Sequence, residues 1–68
     1  MTNNQGENEM KIVSYKEACE SAVAAYYDSN TREGFYFVKE NNVELREVHI
    51  MVNGLGIARG VDYRVVAE

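Results

Sequence analysis

The stretch His49 to Val66, HIMVNGLGIARGVDYRVV, holds the one glycine-rich segment in this chain that could cradle a phosphate. A dinucleotide fingerprint needs its glycines between a strand and the N-terminus of a helix, because backbone amides and the helix dipole together bind the pyrophosphate. After Gly54-Leu-Gly-Ile-Ala-Arg-Gly60 comes VDYRVV, strand-like by composition, and no Gly-Lys-Ser/Thr follows. Neither a dinucleotide site nor a P-loop is indicated, and no cofactor is expected. The remaining reactive residues are sparse. Cys19 is the single cysteine and His49 the single histidine, so there is neither an intrachain disulfide nor a Cys/His set for structural zinc. Cys19 falls on the apolar stripe of a helix, where a buried, inert thiol is the default. The sequence offers His49 no carboxylate companion except Glu47, which alternation puts on the same side of the strand. The expectation is a protein that is not an enzyme and holds no metal.

Composition narrows the class further. Sixty-eight residues, 46% apolar and 26% charged, make one globular domain with a thin core. A net charge of −4 disfavours direct nucleic-acid binding, which calls for clustered Lys and Arg. Partners with neutral or basic surfaces fit better. No apolar run is long enough to cross a bilayer, and the N-terminus has neither the basic region nor the apolar stretch of a signal peptide. A cytoplasmic protein without a membrane role is expected.

These residues are positioned by few elements. Residues 1–9 are polar and without periodicity, and read as a disordered tail ahead of a single domain over 10–68. Met10–Val13 reads as a short strand. Ser14 with Glu17 forms a capping box, and Tyr15, Ala18, Cys19, Ala22, Val23 and Tyr26 recur at helical spacing up to a stop near Asp28–Asn30. From Phe35 the period changes to that of strands. Two turn signals, Asn41-Asn42 and Asn53-Gly54, divide the remainder into a three-stranded antiparallel meander. The expected fold is therefore α+β, with the helix on one face of the sheet.

Taking each turn pair as the centre of a tight two-residue hairpin sets Val38 opposite Leu45, Phe35 opposite Val48, and Ile50 opposite Ile57. The covered face is then Phe35, Phe37, Val48, Ile50, Val52, Leu55, Ile57, Val61, Tyr63 and Val65, with Arg46 and Arg59 interrupting it. The outer face carries Tyr36, Val38, Val43 and Leu45 as an apolar patch, with His49 and Met51 beside a strip of bare backbone at Gly56, Ala58 and Gly60. Such a patch commonly marks an interface, and these nine residues are the candidate partner-binding surface. In size, acidity and architecture the chain resembles phage-encoded inhibitors of host machinery such as anti-CRISPR proteins and polymerase inhibitors, although it shares no motif with them. That resemblance implies stoichiometric occlusion of a protein partner. The alternative is a homo-oligomeric structural or accessory protein, such as a homodimer, self-associating through the open face.

Overall fold

The computed structural model describes residues 11–41 and 43–67. The expected tail over 1–9 and the Met10 end of the first strand lie outside them. Along the chain come β1 (Ile12–Val13), α1 (Tyr15–Ser29), β2 (Glu33–Val38), β3 (Arg46–Val52) and β4 (Ala58–Val65). The four strands form one sheet in the order β1-β2-β3-β4. β1 pairs parallel with β2, whereas β2, β3 and β4 form the antiparallel meander. The α+β architecture stands, with a mixed sheet.

Helix α1 begins where the capping box places it. The Ser14 hydroxyl accepts from the Glu17 amide at 3.1 Å, and the Glu17 carboxylate accepts from the Ser14 amide at 3.0 Å. Two N–H groups that no helical carbonyl can reach are thus satisfied. At the far end Asn30 adopts the left-handed conformation, φ 58°, and its amide and that of Thr31 return to the carbonyls of Tyr26 and Ala25. The stop is supplied by Asn30, within the expected Asp28–Asn30 segment. The helix lies across β2, β3 and β4, with Ala18 and Ala22 buried against the sheet. Small side chains at these two positions bring the helix close to the strands.

Both hairpin registers differ from the sequence reading, for separable reasons. In the first, the Val43 amide donates to the Glu40 carbonyl at 2.9 Å, so the chain does reverse around Asn41, at φ 48°. One extra residue is then taken up on the β3 side, and Val38 pairs with Arg46 instead of Leu45. A slip of one residue exchanges the two faces of a strand. Val38 and Leu45 consequently enter the core, at 6% and 3% exposure, while Phe35 turns outward at 61%.

In the second hairpin Asn53 opens the turn instead of forming its centre. Its side-chain oxygen accepts from the amides of Leu55 and Ile57 at 2.8 and 3.1 Å, and its carbonyl accepts from Gly56 at 2.9 Å. The Asn53 amide donates to the Ile57 carbonyl. This is a three-residue loop whose last residue, Gly56, carries the positive φ of 81°, the common alternative to a two-residue turn. The register moves by three residues, and Ile50 faces Gly60 rather than Ile57. A β-bulge follows between His49 and Ile50.

The core is Ala18, Ala22, Val38, Val48, Ile50 and Val52, with Val13, Cys19, Tyr26, Tyr36 and Ala58 packed against it. Val48, Ile50 and Val52 are inside as expected. Leu55, Ile57, Val61, Tyr63 and Val65 are exposed, which corrects their placement in the covered set. For Leu55 and Ile57 the physical reason is local turn chemistry, an Asx side chain that bonds two amides outweighing the generic preference of Asn-Gly for a two-residue reversal. Val61 is the unpaired residue of the bulge, after which Tyr63 and Val65 lie opposite Val48 and Arg46 on the helix side but exposed.

Candidate functional site: the uncovered sheet face

With one helix on a four-stranded sheet, the second face has no covering element among the described residues. Ile12, Phe35, Phe37, Glu47, His49, Met51 and Arg59 share it, following from the pairings Ile12↔Phe37, Phe35↔His49, Phe37↔Glu47 and Met51↔Arg59 and the alternation of strand side chains. Ile12, Phe35 and Met51 are substantially exposed and Phe37 half-buried. An apolar band therefore runs from the β1 edge to β3.

Its centre is ordered. The rings of Phe35 and His49 stack with centroids 4.4 Å apart and planes 14° from parallel. The His49 Nε2 lies 2.7 Å from a Glu33 carboxylate oxygen. His49 thus has a carboxylate companion, but it is Glu33 on the neighbouring strand and not Glu47. Glu47 instead accepts from the Arg64 Nε at 2.7 Å. The Glu33–His49 and Glu47–Arg64 pairs give this aromatic centre a polar rim of the kind seen in interface patches. These pairs are partly solvated, so each contributes little to stability.

The nine candidate residues do not remain together. His49 and Met51 sit on the uncovered face. Val38 and Leu45 are core residues, Tyr36 packs against the core, and Val43 is exposed in the β2–β3 connection. Gly56, Ala58 and Gly60 face the helix, not the open side. Close approach to that strip does occur, by the helix itself: Gly60 N–H donates to the Tyr15 hydroxyl at 2.7 Å, and a Cβ at Gly56 would stand 2.4 Å from the Tyr27 hydroxyl. Tyr26 reaches the Gly54 carbonyl at 3.4 Å. The glycines are seats for the aromatic side chains of α1.

Phe35, Phe37 and Ile12 were the residues missed. The signal for Phe35 and Phe37 was present in the alternation of β2, but which half of FYFV faces out depends on one residue in the loop after it. Arg46 and Arg59 also separate: Arg59 is on the open face, whereas Arg46 lies on the helix side with its guanidinium carbon 4.7 Å from the Tyr63 ring centroid. Its neighbouring carboxylate is Glu44, at 3.6 Å. The Arg46 Nε is sealed from solvent with no hydrogen-bond acceptor, an arrangement that costs about 1–3 kcal/mol.

No helix among the described residues is long and apolar enough to cross a membrane. No group of three or more His, Cys, Asp or Glu among the described residues could hold a metal ion. No protein-family model, curated protein or solved structure matches the chain.

Proposed function

We propose that this protein is a noncatalytic binding module that occludes a surface of a protein partner in the cytoplasm, using the uncovered face of its sheet. The observation that carries this reading is the ordered Phe35–His49 stack, flanked by Ile12, Phe37 and Met51 on a face that α1 does not cover. Exposed aromatic residues held rigid before binding lose little side-chain entropy on association, and so make efficient anchors. The net charge of −4 favours a partner with a neutral or basic surface. Blocking another protein's surface is also how small inhibitors of host machinery work, including anti-CRISPR proteins and polymerase inhibitors.

A second reading is self-association. The face carries both signs, with Glu33 and Glu47 against Arg59 and Arg64, and a surface of mixed charge suits an isologous pairing with its own copy. Sedimentation at micromolar concentration separates the two. A dimer that becomes a monomer in Phe35→Glu supports self-association, while a monomer in both forms leaves the heteromeric reading. The heteromeric reading is tested by quantitative capture with wild type and Phe35→Glu of equal thermal stability. It expects one stoichiometric partner that the variant loses, and fails if the same partner is retained.

A further inference from the structure

On the opposite side of the sheet lies a groove of about 490 Å³ between the start of α1 and strands β3 and β4. Its floor is Val38 and Val48, its sides are Tyr15, Tyr63 and the backbone of Gly60, and Arg46 enters from β3. We propose that this groove binds a small amphipathic monocarboxylate, whose apolar body lies on the two valines and whose carboxylate meets the Arg46 guanidinium. The site is separate from the uncovered face and does not depend on the reading given for it.

Three observations support the assignment. First, the volume is that of a small-molecule site, and an apolar floor with a few converging polar groups is the usual composition of one. Second, Arg46 is under-bonded. The Tyr63 ring holds its guanidinium plane from one side, the Nε is covered without an acceptor, and the Glu44 contact, at 3.6 Å, is beyond hydrogen-bond length. A guanidinium with a carboxylate on its terminal N–H groups forms two short, charge-assisted bonds, which Glu44 at 3.6 Å does not supply. Third, the Tyr15 hydroxyl accepts from Gly60 N–H at 2.7 Å, which leaves its own O–H to donate into the groove.

The charge around the groove sets the ligand class. Glu40 and Asp62 also line it. Asp62 pairs with His49 and its carboxylate is turned to the Tyr63 amide at 2.8 Å, so the acids near Arg46 are Glu40 and Glu44, which oppose a second negative charge on the ligand. One guanidinium against two acids admits a monoanion and discriminates against phosphates and dicarboxylates.

The test is an amide and Arg Nε–H chemical-shift titration of the full chain with phenylacetate, and in parallel with phenylacetamide, its neutral analogue. Saturable shifts at Val48, Gly60, Tyr63 and the Arg46 Nε–H are expected with the acid. The amide, and the acid added to Arg46→Met, should bind about tenfold or more weakly, as the loss of a charge-assisted pair implies. Tyr15→Phe should weaken the acid several-fold. Absence of saturable shifts in the wild type overturns the proposal. So does equal affinity for the acid and the amide, a comparison made in the wild type alone that stands even if a variant does not fold.

Discussion

Replacing Gly56 and Gly54 separately by alanine tests the reading of the β3–β4 reversal. Gly56 has φ 81°, where an L-residue is disfavoured by roughly 1–2 kcal/mol. The new Cβ would also meet the Tyr27 hydroxyl at 2.4 Å, but Tyr27 is 71% exposed and its ring can swing aside. Reduced freedom of the unfolded chain offsets about 0.4–1 kcal/mol, so the net loss is on the order of 1 kcal/mol. In a domain of this size that lowers Tm by about 4–8 °C. Gly54 has no atom within 4 Å of an added Cβ and no positive φ, so Gly54→Ala should leave Tm unchanged or raise it slightly. Thermal unfolding followed by circular dichroism measures both, and Gly56→Asn, which tolerates the left-handed region, should recover part of the loss. A two-residue Asn53-Gly54 turn makes the opposite forecast, with Gly54 as the sensitive position. A larger drop for Gly54→Ala than for Gly56→Ala would refute the three-residue loop and the register built on it.

Other consequences are quickly measured. Leu45→Ala and Ile50→Ala should each cost about 2–5 kcal/mol in urea unfolding, whereas Phe35→Ala, on the uncovered face, should cost well under half as much. Ser14→Ala should destabilise by about 1 kcal/mol through loss of the helix cap. Tyr15→Phe removes the acceptor of the Gly60 amide, and faster hydrogen exchange at that amide, with about 0.5–1.5 kcal/mol lost, is the expected result.

The helix was legible because its signals are local. A Ser-x-x-Glu box and a run of apolar positions at three and four act within single turns, and the structure keeps both ends to within a residue or two. The sheet was legible as a sheet but not in its facing, because facing is decided by loop residues rather than by the strands. In FYFV, Phe35 and Phe37 alternate with Tyr36 and Val38, and each pair is apolar enough to be buried, so composition cannot choose between them. The choice rests on the residue taken up between Val43 and Arg46. On β3, by contrast, Val48, Ile50 and Val52 alternate with Glu47, His49 and Met51, and there the inner side was unambiguous. The glycine strip carried a true signal of close approach, and the approaching surface proved to be the chain's own tyrosines.

Among the described residues the long outer strand β4 ends the sheet, and an edge strand of that kind can template the addition of others. Here two of its amides are already occupied by side chains, Gly60 by the Tyr15 hydroxyl and Tyr63 by Asp62. A foreign strand seeking to extend the ladder through these two positions would have to displace both side chains. Growth of a foreign ladder along that border is thereby discouraged.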